Sequence, residues 1–428
     1  MSRFVIQGGT PLEGKVETIG NKNAVLKMIA AALLTEEEVH LSNVPGISDV
    51  DVMLEMLEAL GAQVRHDKEA KEVSIIAKEI KTTTVPAELA KKLRSSNVLL
   101  GPLLVRMGHV ESVVPGGDKI GPREMTAHFD GLTALGATFK TTGEEAFSLS
   151  GKLTGTNVHL YEPSVTATEN VIMAAVLAKG KTVITNAASE PQVKELCLML
   201  NTMGANITGG GSNEIHITGV EALHGTSYAV PIDYIYAGTF VILAAITGGR
   251  LEIGPVNHED MRTMLYFFAK LGVKTEAKGD MLIVPEKQTL RVQDQDWARV
   301  KGFYSQPWPC FPSDIMSLAI VLATQVEGSV LFFEKMYPGR MFFADYLNGM
   351  GANIIIADPH RVIVNGKTPL VRRTLASPDL RAGMAYVAAG LCAEGETIVE
   401  NIRHIDRGYP EIEKVLTALG ATITREES

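Results

Sequence analysis

The chain has 428 residues, 46% of them hydrophobic and 21% charged, a balance that excludes wholesale disorder and suits about three domains at roughly 150 residues each. Its formal net charge of −9 argues against a general nucleic-acid or anionic-membrane surface. Cys197, Cys310 and Cys392 have neither metal-ligand spacing nor the pattern of a disulfide framework, so a reducing compartment is expected and no metal or cofactor. No stretch reaches the roughly 18 apolar residues of a membrane span, and Met1–Gly9 holds no apolar run of signal-peptide length. A cytoplasmic location is the expectation.

In chain order, Lys22 and Asn23 precede the apolar run Ala24–Leu34. The pattern predicts a helix start with Asn23 as its cap, and a helix N-terminus beside a lysine is also a ready anion site. Val39–Gly46 reads as a strand and turn. Val52, Met53, Met56, Leu57 and Leu60 then share one helical face, Gly61 ends that helix in the left-handed region, and Ala62-Gln63-Val64 turns strand-like. This phrase, Leu/Met-Gly-Ala/Val after a helix and before a strand, recurs at Gly136, Gly204, Gly272, Gly351 and Gly420, with gaps of 75, 68, 68, 79 and 69 residues. Units of this length, each mixing strands and helices, are too long for a solenoid and read as supersecondary modules around shared cores.

Between the repeats lie polar segments of other kinds. Arg94, in Lys91–Asn97, reads as a solvated charge on an amphipathic helix. Pro115–Arg123 is a Gly/Pro-rich loop carrying Asp118, Lys119 and Arg123 together, the sort of conformationally special loop in which sites occur. Thr182–Ala187 is a strand, and Thr208-Gly209-Gly210-Gly211 is a hairpin turn without the strand-to-helix context of a phosphate cradle. Pro307–Asp314 delivers Asp314 to a helix start, where an N-cap is the ordinary role. Asp379–Ala382 opens another helix, and His404–Tyr409 lies between a strand and the last helix. Taken alone, Asp379 with Arg381 and Asp406 with Arg407 would be surface pairs worth about 0–1 kcal/mol.

Read together, these segments resemble a known family, the enolpyruvyl transferases. The pieces that match, in order, are Asn21-Lys22-Asn23-Ala24, Leu93-Arg94-Ser95-Ser96, Gly101-Pro102-Leu103-Leu104, Pro115-Gly116-Gly117 with Ile120-Gly121 and Arg123, Ser164-Val165, Ala167-Thr168-Glu169-Asn170, Phe311-Pro312-Ser313-Asp314, Asp379-Leu380-Arg381-Ala382 and His404–Tyr409. The resemblance runs from Gly8 to about Gly420. It implies an α/β fold of two inside-out barrels, each of three repeated units with helices inside and sheets outside, closing over a site between them. One domain would be residues 21–231 with the Asp118 loop; the other would be 1–20 and 232–428 with Asp314 and the arginine cluster.

The reaction so implied moves the enolpyruvyl group of phosphoenolpyruvate to the 3-hydroxyl of UDP-N-acetylglucosamine. Phosphate leaves after addition and elimination through a tetrahedral ketal, and the step is the first committed one of peptidoglycan synthesis. Such chemistry needs a cation clamp for a phosphate and a carboxylate, an acid for the methylene carbon and a base for the hydroxyl. By match with the family, Lys22, Arg94, Arg123, Arg340, Arg381 and Arg407 form the clamp, and Asn23 orients the sugar. Ser164, Val165 and Asp379 bind substrate, and Asp314 is the base. Asp118 stands where many members carry a reactive cysteine and is assigned the proton donor. The implied partners are phosphoenolpyruvate and a nucleotide sugar; no obligate protein partner, nucleic acid or membrane is expected. Thr126, Thr166, Tyr234 and Pro338 depart from the family pattern on the nucleotide-sugar side. They keep two other readings open, a paralogue with a different acceptor and a catalytically silent ligand-binding relative.

Overall fold

A computed structural model describes residues 2–117, 120, 121, 123–293 and 301–427, with the backbone alone for Lys301. In it the recurring phrase ends a helix in all six places. Gly61, Gly136, Gly204, Gly272, Gly351 and Gly420 have φ values of 114°, 108°, 97°, 84°, 96° and 97°, the left-handed region that a side chain disfavours. At Gly61 a Cβ would also lie 2.9 Å from the Glu79 carbonyl oxygen.

The chain divides into two units, each with its own apolar core. The N-terminal unit comprises residues 20–117 and 124–231. The C-terminal unit comprises the segment before residue 20, the described members of 118–123, and residues 232–428. The division thus differs from the expected one at Gly20, which groups with the N-terminal unit, and at one loop. Ile120, Gly121 and Arg123, expected with residues 21–231, group with the C-terminal unit: the Gly339 N–H donates to the Ile120 carbonyl at 3.0 Å, and Gly121 (φ 114°) lies against the Pro338 ring with no room for a side chain.

The repeats share one order of helices and strands. In the first, the inner helix Lys22–Ala31 leads to the strand Glu38–Ser42, the outer helix Ser48–Leu60, then Gly61 and the hairpin Gln63–Asp67 with Glu72–Ile76. The strand Thr226–Ala229 joins this sheet in parallel, from the far end of the same unit. Glu13–Glu17 likewise pairs in parallel with Arg250–Gly254, and Arg3–Gln7 lies between Glu396–Glu400 and Thr422–Glu426. The first strands of the sequence therefore complete sheets of the C-terminal unit. The described residues form six sheets, five of four strands and one of three. Thr208–Gly211 is the expected hairpin turn, joining Asn206–Thr208 to Glu214–Thr218.

The inner helices are buried on nearly all sides, as helices enclosed by others are. In Ser313–Thr324 every residue but Asp314 is buried, in Lys22–Ala31 every residue but Asn23, and in Leu380–Cys392 every residue but Cys392. In Val165–Ala175 only Val165 and Thr166 escape burial. In three of these four helices the accessible residues thus sit in the first turn, where unpaired backbone N–H groups and the helix dipole favour anions.

Gly61→Ala is expected to cost about 2–3 kcal/mol in urea unfolding, and Gly420→Ala about 1 kcal/mol. Both positions have positive φ, but a Cβ at Gly420 meets nothing nearer than 3.9 Å. Equal costs would remove the steric half of this account.

Candidate active site

The C-terminal unit gathers its polar groups at the starts of inner helices. Asp314, second residue of Ser313–Thr324, is not the helix cap. Its Oδ1 accepts from Arg340 at 3.1 Å and its Oδ2 from Arg381 at 2.9 Å. Arg340 comes from the short turn Pro338–Met341 and also donates to the Ser313 carbonyl at 2.5 Å. Arg381 opens Leu380–Cys392 and donates to the Tyr409 hydroxyl at 3.3 Å, which bonds Thr239 Oγ1 at 2.8 Å. Asp379 caps that helix, accepting from the N–H groups of Arg381 and Ala382 at 2.8 and 3.0 Å. Both arginines are buried, whereas the Asp314 side chain keeps 29% of its surface. Burial pushes the Asp314 carboxyl upward, but Arg381 and Arg340 outweigh it and hold the group well below the usual carboxylate range. Buried Arg340 Nε has no hydrogen-bond partner within the described residues, a donor left over for an anion.

Both aspartates of the neighbouring Asp/Arg pairs suggested by the sequence have other partners. Asp379 bonds the backbone N–H of Arg381, while the guanidinium crosses to Asp314. Asp406 pairs with Arg425 at 2.6 Å, and half-buried Arg407 follows it. Half-buried Arg123 contributes positive charge toward Tyr337, beside Arg340. Asp118 lies outside the described residues.

In the N-terminal unit, Asn21, not Asn23, caps the first inner helix, accepting from the Ala24 N–H at 3.0 Å. Asn23 is left in the first turn and half-buried. Lys22 is no solvated charge: its Nζ meets Asp49 at 2.7 Å, with both side chains under 10% exposed. Lys27 Nζ donates to the Asn23 carbonyl at 2.7 Å and lies 3.6 Å from buried Glu169, tying the helix of Lys22 and Asn23 to that of Ser164 and Val165. Burial raises the Glu169 carboxyl to about 8 against the pull of Lys27. Arg94 starts a short 3-10 helix, half-buried, and donates to the Glu124 carbonyl at 3.3 Å. Ser164 caps Val165–Ala175 through the Ala167 N–H.

Three groups that sequence reasoning passed over belong to these arrangements. Lys27 left a trace, a charge inside an apolar run. His128 and Glu334 left none, because their side-chain partners are distant in sequence. His128 is buried with Nδ1 2.9 Å from Asn170 Nδ2 and Nε2 3.1 Å from Thr166 Oγ1. Asn170 is oriented by the Gly101 N–H on its Oδ1 and by its own bond to the Asn97 carbonyl, so Nδ1 accepts from it, while Nε2 also lies 3.1 Å from Asn97 Nδ2. Burial, aided by the charge of Arg94, pushes the imidazole down to about 3.

The family described as EPSP synthase (3-phosphoshikimate 1-carboxyvinyltransferase) matches residues 6–416. The chain belongs to the enolpyruvyl transferases. It is 47% identical over 428 residues to UDP-N-acetylglucosamine 1-carboxyvinyltransferase of Treponema denticola, covering 100% of both chains. The protein of that name from Borreliella burgdorferi is 44% identical, again with 100% of both chains covered. Among solved structures, the enolpyruvyl transferase NikO from Streptomyces tendae superposes with a TM-score of 0.89 at 24% identity, over 100% of this chain and 99% of that one. An EPSP synthase from Acinetobacter baumannii does so with a TM-score of 0.75 at 21% identity, over 100% of each. The six-repeat, two-unit architecture is the enolpyruvyl transferase fold.

A neutral buried histidine makes stability depend on pH. Its folded pKa lies below the unfolded value, so its contribution is present above about 6.5 and is lost as pH falls toward 3. Between pH 7 and pH 5 the unfolding free energy of the wild type should fall about 2 kcal/mol further than that of His128→Gln, measured by urea titration. Parallel pH dependences would show that His128 is not the group responsible.

Proposed function

We propose that this enolpyruvyl transferase moves the enolpyruvyl group of phosphoenolpyruvate to the 3-hydroxyl of UDP-N-acetylglucosamine and releases phosphate, the first committed step of peptidoglycan synthesis. The observation that carries the reading is the Asp314 carboxylate held by two buried guanidiniums at inner-helix starts, in a chain 47% identical to a full-length relative of that name. A proton acceptor and an anion clamp share one cluster there. Arg340, Arg381, Arg407 and Arg123 receive the phosphate and carboxylate of phosphoenolpyruvate. In the N-terminal unit, Lys22 and Arg94 are the cations for anionic groups; Asn23, Ser164 and Val165 are the residues for the nucleotide sugar.

The steps balance without a metal. Asp314 takes the proton of the sugar 3-hydroxyl as that oxygen bonds to C2 of phosphoenolpyruvate, and an acid delivers a proton to C3, giving the tetrahedral ketal. Loss of a proton from C3 with expulsion of phosphate restores the double bond. Asp118 is assigned the C3 acid by its sequence position. A carboxylate gripped by two arginines is ionised but weakly basic. Phosphoenolpyruvate draws on those same arginines, so its arrival frees Asp314 to act as the base.

The departures from the family pattern weigh against a different acceptor, because most of them are absorbed by packing. Thr166 is engaged by His128, and Tyr234 is buried edge-on against Trp308 with ring centroids 5.6 Å apart. Pro338 sits on Gly121 within the turn that carries Arg340. Thr126 alone is exposed, its hydroxyl 3.2 Å from Glu124.

The wild type should release phosphate from phosphoenolpyruvate when UDP-N-acetylglucosamine is the acceptor, and Asp118→Asn should lower turnover by about 100-fold or more. Release only with another acceptor would select the paralogue; binding of both ligands without turnover would select the silent relative. Near-normal turnover in the variant would remove Asp118 from the mechanism. With no cysteine at position 118, the enzyme should also resist the epoxide fosfomycin; a covalent adduct on Asp118 would contradict this.

A further inference from the structure

We propose that Glu334, which neither the sequence pattern nor the family resemblance marked, is the positioning residue of this cluster: one buried carboxylate fixes both the helix start bearing Asp314 and the turn bearing Arg340. The proposal rests on the roles given above to Asp314 and Arg340.

Glu334 ends the strand Gly328–Glu334 and has 0% exposure. A buried carboxylate is costly unless hydrogen bonds replace its water, and this one has four donors. Its Oε1 accepts from Ser305 Oγ at 2.5 Å and from the N–H groups of Met336 and Tyr337 at 2.8 and 3.2 Å. Its Oε2 accepts from Ser313 Oγ at 2.5 Å. The residue's own backbone is fixed as well: its N–H donates to the His360 carbonyl at 2.8 Å, and its carbonyl meets His360 Nδ1 at 2.7 Å.

Two of these bonds lead to the cluster. The Met336 and Tyr337 N–H groups set the path of the chain into Pro338–Met341, hence the place from which Arg340 reaches. Ser313 is the other link. Its hydroxyl is held by Glu334, its carbonyl accepts from Arg340, and its neighbour is Asp314. Arg340 is thus aligned on Asp314 from both sides by the same carboxylate. None of the four donors is a charged group, so an amide at position 334 can preserve the arrangement: Oε1 keeps its three donors, and the Ser313 hydroxyl turns to accept from the new N–H group.

The test compares wild type, Glu334→Gln, Glu334→Ala and Ser313→Ala in phosphate release across pH, with KM for phosphoenolpyruvate and thermal unfolding measured alongside. Glu334→Ala and Ser313→Ala should lose on the order of 10-fold or more in kcat/KM, mainly through KM for phosphoenolpyruvate. The acid limb of kcat/KM should also move up by about half a pH unit or more, because in the free enzyme a loosened Arg340 no longer holds the Asp314 carboxyl down. Among the described residues, Arg340, Arg381 and Tyr337 act on or beside Asp314, with Glu334 and Asp379 acting on Arg340; of these only the alignment of Arg340 is altered in Ser313→Ala. Glu334→Gln should stay within about threefold of wild type with an unmoved acid limb, which loss of a generic structural contact would not produce. A folded Glu334→Ala with unchanged KM and pH profile overturns the proposal. If that variant does not fold, an unmoved Ser313→Ala does the same. A wild type that releases no phosphate overturns both this proposal and the functional reading, whereas an active wild type with unmoved variants overturns this proposal alone.

Discussion

The C-terminal unit turns on one electrostatic arrangement, a carboxylate shared by two buried guanidiniums. Asp314 alone at the start of an enclosed helix would be driven toward its neutral form, and Arg340 or Arg381 alone would be a buried charge without compensation. Together they are tolerated; Asp314 and Arg340 come from one repeat of the fold and Arg381 from the next. Asp379, Tyr409 and Ser313 fix the two arginines by further hydrogen bonds. The cluster is therefore charged and rigid before any substrate arrives, the condition under which fixed dipoles and charges stabilise a developing anion.

The repeated architecture explains why the charges gather where they do. An inner helix is buried around its circumference, which leaves its ends accessible for chemistry. The N-terminal ends carry unpaired backbone donors and the positive end of the dipole. Asn23, Ser164, Asp314, Asp379 and Arg381 all lie at or beside such ends. Six similar modules thus supply similar positions, and side-chain choice at each start gives it a separate task.

Much of this was legible in the sequence because it is local. The six glycines, the Thr208–Gly211 turn and the first-turn placement of Asp314 and Arg381 follow from periodicity and from backbone rules spanning a few residues. What the sequence did not reveal depends on long-range pairing. Asp314 reaches Arg340 across 26 positions and Arg381 across 67, and Glu334 reaches Ser305 and Ser313 across 29 and 21. Local reading assigned Arg381 to Asp379 and Asp406 to Arg407, because adjacency is the one kind of contact that a sequence displays. The Asn23 cap failed for a smaller reason: Asn21 and Asn23 are both competent caps, and the helix begins two residues earlier than the apolar run suggests.

The central claim is that Asp314 and phosphoenolpyruvate compete for the same two arginines. The most direct test is calorimetric binding of phosphoenolpyruvate to the wild type and to Asp314→Asn without the nucleotide sugar, with turnover measured separately. The account predicts tighter binding by the variant, since its guanidiniums are released, together with a loss of turnover. Binding that is unchanged or weaker, with turnover retained, would contradict it.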